Sequence, residues 1–180
     1  MIADRVPGTF SYGEKGRMSL ARKFLASAAC CVMLVGCSEE AEEVVKPVAF
    51  EAHDRCILCG MVIAHYPGPK AEVFIKGADG EAVKFCSGRD AFTFALQPEN
   101  ARRLLGFFIH DMGTTDWDYP SDSALMDATK AVYVYGHDVE GVMGNEPAAF
   151  STQEKAQEFI QKHGGKLYAY KNVTLELLDK

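Results

Sequence analysis

The sequence predicts an α+β fold: two small, related strand-rich units, each with one helix, packed together. Short runs rich in Val, Ile, Phe and Tyr recur in both halves of the chain, and each half holds one capped helical segment of about ten residues. No sequence identity links the halves, so the relationship is one of pattern.

In the first half, Ala71 to Lys76 and Glu81 to Phe85 flank the turn-forming Gly77-Ala78-Asp79-Gly80 and read as a β-hairpin. Ser87 then caps a helix, with Asp90 three residues on in a variant of the capping box. Ala91, Phe94 and Ala95 recur at helical spacing, and Pro98 closes the segment. Leu105 to Met112 and Ala131 to Tyr135 are strand candidates joined by a long loop with Trp117, Tyr119 and Pro120. Ser151-Thr152-Gln153-Glu154 is a second capping box. Its helix buries Ala156, Phe159 and Ile160 and stops at Gly164-Gly165, after which Leu167 to Tyr170 and Val173 to Leu177 read as strands.

The N-terminus reads as an address. Arg22 and Lys23 precede an uncharged apolar run from Phe24 to Gly36, which is too short for the roughly 20 residues of a spanning helix and right for a secretory signal. Leu34-Val35-Gly36-Cys37 resembles the lipobox of bacterial lipoproteins, so residues 1–36 are expected to be removed and Cys37 to be acylated. The acyl chains would hold the protein on a membrane without a protein span. Ser38 favours outer-membrane sorting, and Met18 is a second candidate start. Residues 37–52, with Glu39, Glu40, Glu42 and Glu43, read as an acidic tether; residues 53–180 form the folded domain.

Hydrophobic residues make up 48% of the chain, which places it in the globular class and against wholesale disorder. Setting aside the charged residues before Cys37 leaves 14 bases against 23 acids, a net of −9 for the mature body. Such a balance repels phosphate backbones and argues against nucleic acid, while it attracts cations and basic protein surfaces.

The chemistry concentrates in Cys56-Ile57-Leu58-Cys59-Gly60-Met61, followed by His65. Three sulfurs lie within six residues, and Gly60 permits a sharp bend that brings Cys59 and Met61 together. Soft thiolate and thioether donors select cuprous ion, and imidazole is an acceptable further ligand. Other readings stay open: a redox disulfide between Cys56 and Cys59, half a zinc knuckle completed by Cys86 and a histidine, or Met61 as an ordinary core residue. Cys86, between a strand and a helix start, reads as a buried small hydrophobe outside the site. His110 and Met112 share a strand face and form a possible second soft pair. Met143 sits in the loop Gly141-Val142-Met143-Gly144, where it could approach Met61.

Cys59-Gly60-Met61 with Pro67-Gly68-Pro69-Lys70-Ala71, then Val142-Met143-Gly144, Ala149-Phe150, Ala156, Phe159 and Gly164-Gly165, resembles the NosL family, lipoprotein accessory factors of nitrous oxide reductase. The likeness runs from about Cys56 to Val173. It implies a monomeric periplasmic copper chaperone of two related α+β units, binding one cuprous ion and not acting as an enzyme. It further implies delivery of copper for the copper-sulfide centre of nitrous oxide reductase, together with a membrane transporter-type maturation complex. Carried onto this chain, the ligands are Cys59 and Met61 first, then Cys56, His65 and Met143, with His53 and His110 as alternative nitrogen donors. The family also resembles organomercurial lyase in fold; the matched residues are the chaperone signatures, so lyase activity is not carried over.

Overall fold

The computed structural model describes residues 44–179; the signal segment, the lipobox with Cys37 and the acidic start of the tether lie outside the described residues. The chain forms strands β1 (Ala71–Ile75) and β2 (Val83–Phe85), helix α1 (Gly88–Ala95), a helical turn α2 (Pro98–Ala101), and strands β3 (Leu104–His110) and β4 (Leu125–Asp127). Strand β5 (Val132–His137) follows, then the small hairpin β6 (Glu140–Gly141) and β7 (Gly144–Asn145), strand β8 (Ala148–Phe150), helix α3 (Gln153–His163), strand β9 (Gly164–Ala169) and a closing turn α4 (Leu175–Leu178).

The strands make two antiparallel sheets, ordered β2-β1-β3-β4 and β8-β5-β9, beside the β6-β7 hairpin. Both sheets repeat one plan: the first strand lies in the middle, the second and third flank it, and the helix joins second to third. The expected pair of related units is therefore present, with β4 appended to the first and the β6-β7 hairpin inserted into the second. The two units need share no sequence identity, because this plan demands only alternating apolar strands and one amphipathic helix.

Both helices begin on side-chain caps. Ser87 Oγ accepts from Asp90 N–H at 2.9 Å, and Thr152, one residue later than Ser151, accepts from Lys155 N–H at 3.3 Å. An eight-residue helix is marginal alone, so α1 persists because its apolar face is buried. Phe92 lies at the centre, its ring 4.9 Å from Phe107, 5.1 Å from Tyr133 and 5.7 Å from Tyr170, so it touches both units. A second cluster of Met112, Val134, Ala148, Phe150 and Ala156 sits beneath α3.

Three expectations are corrected. Val173 to Leu177 is no strand: Thr174 caps the short helical turn α4, its hydroxyl accepting from Leu177 N–H. A capping threonine ahead of a Leu-rich turn overrides β propensity here. Residues 48–50, at the end of the expected tether, are tied to the body: Val48 N–H donates to Glu72, Phe50 N–H to Asp122, and Lys84 to Ala49 O. His110 and Met112 do not form a pair, because β3 ends at His110 and Met112 enters the cluster beneath α3.

Candidate metal centre

Cys56 to Met61 forms a tight knuckle. Arg55 and Val62 bridge its base, Cys56 N–H donates to Met61 O at 2.9 Å, and Gly60 N–H returns to Cys56 O at 2.8 Å. Gly60 makes the turn at φ 75°, a left-handed value that favours glycine. The fold aims backbone N–H groups at the sulfurs: those of Leu58, Cys59 and Cys86 at Cys56, and that of Met61 at Cys59. Amides converging on sulfur stabilise thiolate, the form that binds metals.

Cys86 completes the cluster, against the expectation that it lies outside the site. It leaves β2 one residue before the cap of α1, and its Sγ stands 3.3 Å from Cys59 Sγ. Asp90, in the first turn of α1, places Oδ2 at 3.3 Å from Cys56 Sγ and 3.8 Å from Cys86 Sγ. The donor atoms of Cys56, Cys59, Cys86 and Asp90 all lie within 4.8 Å of one another. Cys56, Cys86 and Asp90 are buried, while Cys59 is partly exposed and opens the cluster to solvent.

Packing four ionisable groups this closely separates their protonation. The Cys86 thiol and the surrounding amides pull Cys56 down to about 4. Cys86 is pushed well up, first by its hydrogen bond to Cys56 and then by burial, and Cys59 is raised by burial. Burial, then the neighbouring Cys56 sulfur, raises Asp90 to about 6. Cys56 thus gives up its proton before Asp90 does, and while the Asp90 carboxyl keeps its own it donates to the Cys56 thiolate across their 3.3 Å contact. A cluster that holds negative charge under this much burial is suited to a cation.

The other expected ligands are placed as follows. Met61, which closes the knuckle, and Met143, in the β6-β7 turn, are half-buried and pack against the same core cluster that holds Cys56 and Cys86. His65 is exposed at the end of the turn Ile63–His65 and lies outside the cysteine cluster, and His53 is exposed. His110 is fully buried and its Nδ1 accepts from Lys70 N–H at 3.1 Å, so the ring proton sits on Nε2 and neither nitrogen offers a free lone pair. Among the described residues the non-sulfur donor at the cluster is therefore the Asp90 carboxylate and not an imidazole. The capping pattern Ser87-x-x-Asp90 flagged that residue, but the pattern assigned its carboxylate to the helix end, whereas the structure directs it at sulfur.

The NosL family model matches residues 47–178, which takes in the knuckle, Cys86, Asp90 and both units. The chain belongs to the NosL family. It is 37% identical over 149 residues to the copper-binding lipoprotein NosL of Stutzerimonas stutzeri, covering 82% of this chain and 77% of that protein. It is 32% identical over 155 residues to the copper-binding lipoprotein NosL of Achromobacter cycloclastes, covering 84% and 80%. The crystal structure of the copper chaperone NosL from Shewanella denitrificans superposes with a TM-score of 0.72 at 36% identity, covering 74% of this chain and 98% of that one. The two-unit α+β architecture is thus the NosL fold.

Proposed function

We propose that this protein binds cuprous ion at the cysteine cluster and hands it on for assembly of the copper-sulfide centre of nitrous oxide reductase. The observation that carries the reading is the convergence of Cys56, Cys59 and Cys86 with Asp90 inside 4.8 Å. Membership of a family whose relatives are copper-binding lipoproteins and a copper chaperone supports it. The donor chemistry fits: thiolates are soft ligands that suit a soft monovalent ion, and Met61 and Met143 pack on the same core with thioethers to add. His65 belongs to an outer position in this reading.

Delivery asks for a site tight enough to suppress free metal and open enough for an incoming ligand to attack. Buried Cys56 and Cys86 supply the first requirement, and the partly exposed Cys59 the second. An acceptor adds a ligand from the Cys59 side, forms a shared intermediate and draws the ion away. The protein is a carrier in this account, not an enzyme. Acylation at Cys37 keeps it at the periplasmic face of a membrane, the outer one favoured by Ser38, as a monomer beside the transporter-type maturation complex.

The test is transfer. Copper-loaded protein mixed with metal-free nitrous oxide reductase should restore the copper centre in the presence of the maturation complex, and a Cys59→Ser, Cys86→Ser variant should not. Equal restoration by free cuprous ion and by that variant would count against delivery.

Three thiolates and a carboxylate also suit zinc. Competition between cuprous ion and zinc for the purified protein separates the two, with cuprous ion expected to displace zinc because soft sulfur prefers it.

A further inference from the structure

The turn that carries Met143 is anchored from inside the protein, and the anchor runs through Glu146. Strands β6 and β7 pair Glu140 with Asn145 and Gly141 with Gly144, leaving Val142 and Met143 at the tip. A hairpin of two pairs has little stability of its own. Its tip is nevertheless gripped on both sides of the Met143 peptide. Glu146 Oε1 accepts from Met143 N–H at 3.4 Å, Oε2 accepts from Arg89 N–H at 3.4 Å, and the Arg89 guanidinium donates to Met143 O at 3.5 Å.

Arg89 lies in the first turn of α1, next to Asp90 and three residues after Cys86. One carboxylate thus ties the methionine turn to the start of the helix that carries Asp90 and follows directly on Cys86 and its neighbour Ser87. Glu146 is fully buried, an expensive place for a carboxylate, and its two oxygens are spent on donors from two different elements. Gly141 makes the room: a Cβ there would collide with the Glu146 side chain. Ligands held before the metal arrives lose less freedom on binding it.

We propose that Glu146 is a positioning residue of the metal centre, fixing the Met143 turn against the first turn of α1 so that the thioether stands ready beside the cysteine cluster. The proposal rests on the reading of Met143 as a ligand. It is tested on the purified protein with two readouts: hydrogen exchange of the Met143 amide without metal, and cuprous affinity against a competing chelator. Glu146→Gln should speed exchange at Met143 and weaken cuprous binding by about tenfold, at the low end of the roughly 10–100-fold range for residues that orient metal ligands. Gly141→Ala, which crowds Glu146 but keeps its charge, should do the same.

Met143→Leu should weaken binding at least as much, and the double variant Met143→Leu, Glu146→Gln should be no weaker than Met143→Leu alone. Additive losses, or wild-type exchange in Glu146→Gln, would overturn the role given to Glu146 while leaving Met143 a ligand. Wild-type affinity in Met143→Leu would overturn the ligand reading itself and this proposal with it.

Discussion

Asp90 lies in the first turn of helix α1 yet sets its Oδ2 3.3 Å from Cys56 Sγ, so a residue of the helix start is part of the sulfur cluster. Asp90→Asn keeps the shape and the backbone N–H that Ser87 accepts, and removes only the charge. Cuprous affinity should fall by about 10–100-fold with the fold unchanged, and Cys86→Ser should cost at least as much. Competitive titration with a cuprous chelator checks both; wild-type affinity in Cys86→Ser would remove that residue from the centre.

Met61 separates metal carriage from thiol chemistry. Met61→Leu should weaken cuprous binding and leave the rate of disulfide formation by an added oxidised thiol unaltered. If thiol oxidation does occur, the partners should be Cys59 and Cys86, whose sulfurs are 3.3 Å apart, rather than Cys56 and Cys59. Mass mapping of the oxidised protein reads the pairing, and unchanged copper affinity in Met61→Leu would count against thioether ligation.

Much of the fold was legible because its signals are local. The hairpin around Gly77 to Gly80, the Ser87 cap and the Gly164 stop each depend on a few neighbouring residues. Strand pairing was not legible, since nothing in Leu104–His110 or Val132–His137 states which partner each will take. The site divided the same way. Cys56 and Cys59 announce themselves by spacing, whereas Cys86 and Asp90 arrive from 27 to 34 positions away, through the return of β2 beside the knuckle. A cysteine ahead of a capped helix was the available signal, and alone it could not distinguish a ligand from a small core residue.

Phe92 joins the two units, so its loss should be felt across the whole protein. Phe92→Ala removes a fully buried ring in contact with Phe107, Tyr133 and Tyr170 and should destabilise by about 3–5 kcal/mol. Denaturant unfolding should show a single transition at a lower midpoint. Loss of one unit with the other intact would mean that the two are not coupled through this core.

Glu72 gives the stability a pH dependence of defined sign. Burial raises its carboxyl from 4.5 to about 7. Between those values the folded protein holds more protons than the unfolded chain, so this contribution favours folding near pH 5 and is lost as pH rises through 7. Glu146, raised to about 7, acts in the same direction, and His110, lowered by burial to about 4, acts in the opposite one below 6.5. Comparison with Glu72→Gln isolates the one group: the fall in unfolding midpoint from pH 5 to pH 8 should be smaller in the variant. Equal falls would show that Glu72 does not titrate in this range.

In the proposed reading, sulfur from the knuckle and from Cys86 surrounds a cuprous ion. X-ray absorption of the purified protein, loaded anaerobically with one equivalent of cuprous ion, counts the neighbours directly. The expected spectrum shows a shell dominated by sulfur that loses one sulfur scatterer in Cys86→Ser. A shell of nitrogen and oxygen, or one identical in wild type and Cys86→Ser, would contradict it.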